Sequence, residues 1–238
     1  MTLHHLGKAL IFPLTHGSFY AILNLTKICK KAVYIMTVKE MERLTKHFDT
    51  YFEQSDSLVL HPIIDYGYHV DVLLYKPSKK YPFWKLVTMG ASDYKMPKAP
   101  NTIGLFNEYI MFVDKDENLD DMDTVNWYRK NLVMIASFAK EYNTHITYGH
   151  SFEWKKDSPE DEMVAAYIDF PQVIPNVKIL HCKINPFKQV ACLQVVLLNE
   201  AELDVLKKIG PQAFSEFLYP ENGGRAHFLS EKHRTERF

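Results

Sequence analysis

"YPFWKLVTMGASDYKMP", residues 81–97, decides how this chain is read. The run from Tyr81 to Met89 has the aromatic and β-branched content of a strand, and it breaks at Gly90-Ala91-Ser92-Asp93. A phosphate-cradling P-loop needs several glycines and a Gly-Lys-Ser/Thr ending, so that amides and a lysine surround the phosphates. Here there is one glycine, with no lysine directly behind it. A nucleophile elbow needs Gly-x-Ser-x-Gly, and Tyr94 stands where the second glycine belongs. The stretch reads as a strand running into a tight turn.

Outward from it, residues 68–75 (YHVDVLLY), 83–89 and 104–113 (GLFNEYIMFV) read as strands, with a Lys/Pro/Ser loop at 76–80. Thr37 and Glu40 have the spacing of a capping box. Behind them Val38, Met41, Leu44, Phe48, Tyr51 and Phe52 form one apolar stripe, which predicts a helix over 38–53. Val125, Tyr128, Leu132, Ile135, Ala139 and Tyr142 predict a second helix over 124–142. Short strands are expected at 145–149, 163–169, 177–184 and 190–198. Asn199 and Glu202 repeat the cap signature ahead of a helix to Ile209, and Gly210-Pro211 ends that helix and opens another over 211–219. There is no internal repeat and no Ser/Gly-rich linker. The pattern predicts one α+β domain, a central mixed, mainly antiparallel sheet with helices packed against it.

The 238 residues suffice for such a core, and 47% apolar content excludes global disorder. A net charge of −1 gives no overall basic field to hold a polyanion, so nucleic acid is not the expected partner. Three cysteines, Cys29, Cys182 and Cys192, with no Cys-x-x-Cys pair, point to a reducing, cytoplasmic setting and away from a disulfide scaffold. A hairpin about Phe187 would set Cys182 opposite Cys192. The uncharged run Ala9–Thr26 has membrane-like length but is diluted by Pro13, His16, Gly17, Ser18 and Asn24. Because the regular pattern opens with a clean cap at Thr37, residues 1–35 are read as an N-terminal extension, with Met36 as the candidate native start. The domain is expected over 36–220, and 221–238 as a polar tail.

Chemistry-bearing groups are sparse. His69 and Asp71 fall on one side of a strand, but zinc wants three or four ligands. His61, His145, His150 and Glu153 are candidates for the remainder, without a spacing that requires it. His150, Ser151 and Glu153 are near neighbours on an extended chain and point apart, so they form no local triad. The expectation is therefore no catalytic residue, no metal and no cofactor. The alternative is a metal-dependent hydrolase on His69, Asp71 and His150, with Glu153.

The acidic runs say more. Asp114–Asp123 carries six acids and one lysine, and Asp157–Glu162 carries four acids. Acids ahead of a helix favour its dipole, and they also form a negative surface for a basic protein partner. Interface anchors are often aromatic. The candidate contact residues are Tyr94, Asp116, Glu117, Asp120, Asp121, Asp123, Trp127, Trp154, Glu160, Asp161 and Glu162.

The ordered motifs "HVDVLLYKPSKKYPFWKLVTMGASDYKMP" (69–97), "YGHSFEW" (148–154) and "KINPFKQVACLQVVLLNEAEL" (183–203) resemble the suppressor-of-fused domain family over roughly Met36–Leu218. Ala91 stands where that family usually has methionine, and Val196-Leu197-Leu198-Asn199 replaces a Pro-Leu-x-x-Glu run. The resemblance implies a single suppressor-of-fused-like domain that binds proteins and catalyses nothing. Small members look like bacterial immunity proteins, so it also implies an antitoxin for a cognate nuclease-type toxin encoded nearby, without membrane or nucleic-acid partners.

Overall fold

The computed structural model describes residues 36–61, 69–100, 102–155, 162–219 and 227–234. Helix α1 (Val38–Phe52) starts at the expected cap. The Glu40 amide donates to Thr37 Oγ1 at 3.3 Å, and Glu40 Oε2 accepts from the Thr37 amide at 2.9 Å. Strands β1 (Leu58–Leu60), β2 (Asp71–Tyr75), β3 (Phe83–Met89) and β4 (Asn107–Asp114) then form an antiparallel meander. Helix α2 (Met122–Glu141) follows, then β5 (Ser151–Glu153), β6 (Met163–Asp169), β7 (His181–Asn185), β8 (Lys188–Asn199), α3 (Glu200–Ile209) and α4 (Pro211–Leu218).

The strand order is β1-β2-β3-β4-β8-β6-β5, with β7 also paired to β8. Every pairing among the described strands is antiparallel except β4 with β8, where Asn107 faces Ala191 and Met111 faces Val195. The sheet is mixed and mainly antiparallel, with helices on both faces, so its central strands read as continuous apolar runs rather than alternating ones.

Alternation of side chains divides the core. Val72, Leu74, Leu86, Met111, Leu193 and Val195 face α2, which buries Val125, Tyr128, Leu132, Ile135 and Ala139 against them. On the other face Leu73, Tyr75, Phe83, Ile110 and Phe112 meet Leu44, Phe48 and Phe52 of α1. Further along that face Val196, Leu198, Ala165 and Tyr167 meet Leu203 and Leu206 of α3 and Phe214 and Leu218 of α4. The two stripe ends behave differently: Val38 and Tyr142 are exposed at the helix termini.

Several local expectations need correction. Residues 145–149 form no strand. The Ile146 backbone is bonded to side chains, its carbonyl accepting from Asn107 Nδ2 at 2.8 Å and its amide facing Met96 Sδ, and Gly149 turns the chain at φ 84. Asn176 Oδ1 accepts from the Lys178 amide, so Val177–Leu180 is a short 3₁₀ turn and the strand begins at His181. Cys182 lies opposite Val190, so Cys192 is its diagonal neighbour and not its partner across the ladder. Both thiols are free and buried, and burial pushes Cys182 up to about 11 and Cys192 well above its ordinary value. Cys29 lies outside the described residues.

Residues 227–234, read from sequence as part of a polar tail, are held in the fold. Phe228 and Ser230 are buried, and the Ser230 amide donates to Phe112 O at 2.7 Å. Arg234 forms a buried ion pair with Glu202 and also donates to Leu197 O at 2.6 Å.

Candidate functional site

The turn after β3 is built around one carboxylate. Glu108, in the middle of the sheet on β4, is fully buried. Its Oε1 accepts from the amides of Gly90 and Ser92, each at 3.0 Å. Its Oε2 accepts from the Ala91 amide at 3.2 Å and from Thr88 Oγ1 at 2.6 Å. Thr88 Oγ1 in turn accepts from the Tyr109 amide at 2.7 Å. Burial pushes the Glu108 pKa up, while these donors act in the opposite direction. The glycine is required: Gly90 has φ +118, and a Cβ there would meet the His69 carbonyl oxygen at 2.5 Å. Sequence reasoning passed over Glu108, although an acid inside the apolar run NEYIMFV was the available signal.

The same turn carries Asp93 into a second cluster. Asp93 Oδ2 accepts from the Met36 amide at 2.7 Å, and Lys188 Nζ stands 3.3 Å from Glu40 and 3.7 Å from Asp93. These three side chains are at most 9% exposed. Desolvation raises the Asp93 pKa, whereas Glu40, despite its burial, is net lowered by the Thr37 and Lys188 contacts.

Asp116, Asp120, Asp121 and Asp123 are exposed on the turn between β4 and α2 and in the first turn of that helix. The turn is pinned at both ends. The Asp114 amide donates to Ser230 O, and Asp121 caps α2 by accepting from the Thr124 amide at 2.9 Å, which lowers the Asp121 pKa. Asp120 pairs with Lys76 at 2.8 Å across exposed surface, and Lys115 pairs with Asp116. Glu117 is engaged within the fold, where its Oε1 accepts from the Lys232 amide at 2.9 Å and its carbonyl accepts from Trp84 Nε1.

Trp127 is half-buried beside the core with the Lys232 ammonium 5.9 Å from its ring. Tyr94 is half-buried too, its hydroxyl donating to Asn143 Oδ1 at 2.8 Å. Trp154 packs partly against the core. Glu162 is exposed, but its Oε2 accepts from the Arg234 amide at 2.6 Å. Glu160 and Asp161 lie outside the described residues. The segment 230–234 thus touches both acidic regions, at Glu117 and at Glu162.

The hydrolase grouping does not assemble. His150 stands against His145, ring centroids 5.2 Å apart, and Glu153 pairs with Lys207 at 3.1 Å. They sit at the β5 end of the sheet, five strand spacings from Asp71 on β2, or about 24 Å. Asp71 is joined instead by His61 and His69.

These features define a class: an α+β domain whose mixed sheet is covered on both faces and whose central carboxylate caps a glycine turn. The chain belongs to the suppressor-of-fused family, since the model for "Suppressor of fused protein (SUFU)" matches residues 67–229. It is similar to the Sufu of the Sufu-Fu complex crystal structure, with TM-score 0.61, 14% identity, and coverage of 83% of this chain and 91% of that one. Drosophila Suppressor of Fused gives TM-score 0.61 and 15% identity over 83% of this chain. The match spans 51% of the Drosophila protein, about half its length. A suppressor-of-fused homolog from Neisseria gonorrhoeae FA 1090 gives TM-score 0.59 and 12% identity, covering 84% of this chain and 97% of that one. No curated protein matches the chain. Among the described residues, no helix is long and apolar enough to cross a membrane.

Proposed function

We propose that this chain is a non-catalytic, cytoplasmic protein-binding domain, an immunity protein that neutralises a cognate nuclease-type toxin by covering it stoichiometrically. The observation that carries the reading is the exposed acidic turn of Asp116, Asp120, Asp121 and Asp123, tied at its ends by the Asp121 cap and the Asp114–Ser230 bond. Asp123 and Trp127 are four residues apart on α2 and so share a face. A carboxylate rim beside a half-buried indole suits a basic protein surface, of the kind a nuclease uses to hold its substrate.

Co-expression with the product of the adjacent gene tests it. The expected result is rescue of growth and a one-to-one complex that weakens with salt. Reversing Asp116, Asp120 and Asp123 to lysine should abolish rescue while far-ultraviolet circular dichroism stays unchanged. A neighbouring product that binds without being toxic moves the assignment to a regulatory interaction module, the kind of role the Sufu-Fu complex suggests. Binding that ignores the triple reversal removes the acidic turn from the interface.

A further inference from the structure

Beyond any protein partner, one cluster has the chemistry of a small cationic ligand. Asp71 opens β2, and its Oδ1 accepts from His61 Nδ1 at 2.9 Å and from His69 Nε2 at 2.8 Å. The three candidate ligand atoms lie within 4.8 Å of one another. The carboxylate side chain is 11% exposed, whereas those of His61 and His69 are 68% and 42% exposed. A buried carboxylate floor thus holds two imidazoles that open to solvent.

We propose that His61, His69 and Asp71 form a binding site for a divalent transition-metal ion of the zinc type. Two imidazole nitrogens and one carboxylate oxygen suit zinc and its neighbours, while calcium and magnesium prefer oxygen alone. Metal–ligand lengths of about 2.0–2.2 Å in tetrahedral geometry separate donor atoms by ~3.3 Å. The two His–Asp pairs need to open by only ~0.5 Å and the two imidazole nitrogens to close by at most ~1.5 Å, within the reach of side-chain rotations of the exposed imidazoles, and the ion then takes the place of the two shared protons.

The frame is already fixed. Asp71 pairs with Met89 in the ladder, and the His69 carbonyl packs under Gly90, so the Gly90 turn fixes the backbone around His69 and Asp71. His61 directly follows β1, where Leu60 faces Val72. Three ligands leave at least one coordination position for water or for a group from a partner.

Cobalt(II) chloride titrated into the full chain is the direct test. The expected result is one equivalent bound, with the intense visible bands of a four- or five-coordinate ion, displaced by zinc, and a zinc-dependent rise in melting temperature. His61→Ala together with His69→Ala should weaken binding at least 100-fold. His61→Ala alone, at an exposed position, should weaken it about tenfold and serves if the double variant does not fold. With 11 histidines in the chain, adventitious binding is the competing outcome. Wild-type protein without the bands, or a folded His61→Ala variant that binds cobalt as the wild type does, overturns the proposal.

Discussion

Glu108 offers a sharp test of how the Gly90 turn is held. Replacing it with alanine removes the acceptor for three buried amides and for the Thr88 hydroxyl. A buried donor left without a partner costs about 1–3 kcal/mol. Water entering the vacated space recovers part of that, so Glu108→Ala should lose on the order of 5 kcal/mol. Glutamine keeps one oxygen. Placed at the Oε1 position it still accepts from Gly90 and Ser92, while its NH₂ group faces the Ala91 amide and Thr88. Glu108→Gln should therefore lose about half as much, roughly 2–3 kcal/mol. For a chain of this size each kcal/mol lowers the melting temperature by about 2–4 °C. Urea unfolding followed by circular dichroism measures both variants, and native-state hydrogen exchange at Gly90, Ala91 and Ser92 localises the effect. If alanine costs less than 1 kcal/mol, the carboxylate is not what holds the turn; if glutamine costs as much as alanine, the two oxygens do not act separately.

Three other outcomes follow from the same geometry. Gly90→Ala forces a side chain into φ +118 and against the His69 carbonyl, and should lower stability by about 3 kcal/mol in urea unfolding. Lys85 is buried under Phe52 and Phe83, its Nζ donating to Lys76 O at 2.8 Å, and desolvation depresses its pKa to about 8. Between pH 8 and 10.5 the unfolded chain then binds more protons at this lysine than the folded one, so the Lys85 contribution to stability rises with pH across that window, opposite in sign to that of the buried thiols Cys182 and Cys192. Lys85→Met should be the more stable protein at pH 7, and its advantage should shrink by about 3 kcal/mol by pH 10.5; parallel pH profiles contradict the depressed pKa. A chain begun at Met36 replaces the amide facing Asp93 by an α-ammonium, in a cluster whose described side-chain pairs set two carboxylates on one lysine. It should melt at or above the temperature of the full chain, and Asp93→Asn should lower the short chain more; aggregation of the short chain counts against a start at Met36.

Where local chemistry decides the backbone, the sequence was easily read. Thr37 with Glu40 and Asn199 with Glu202 are reciprocal caps whose partners lie three residues away, and helices α1 and α3 start there. Residues 163–169 and 211–218 follow equally from apolar runs and Gly-Pro punctuation. Long-range partners erased the signal elsewhere. Ile146 looks like part of a strand until Asn107 and Met96 take its backbone groups. Residues 227–234 are polar in composition, but their burial depends on Phe112, Leu197 and Glu202, far away in the chain. His61 joins His69 and Asp71 only because β1 pairs with β2, and the three-residue β1 is too short for periodicity to reveal. Among the contact candidates, Asp116, Asp120, Asp121 and Asp123 are exposed as acidic composition suggests, but the internal bonds of Glu117 and Glu162 require knowing where residues 232 and 234 return.

The parallel seam between β4 and β8 has a consequence for the newborn protein. Residue 107 waits for residue 191, so the open edge of β4 stays unpaired while roughly 80 more residues are made, on the order of ten seconds at ribosomal speeds. An unpaired, apolar strand edge invites other chains to dock on it. Six acids emerge from the ribosome immediately behind that edge, at Asp114–Asp123, and their mutual repulsion would keep nascent copies apart until β8 arrives. The negative turn would then serve the chain before any partner meets it.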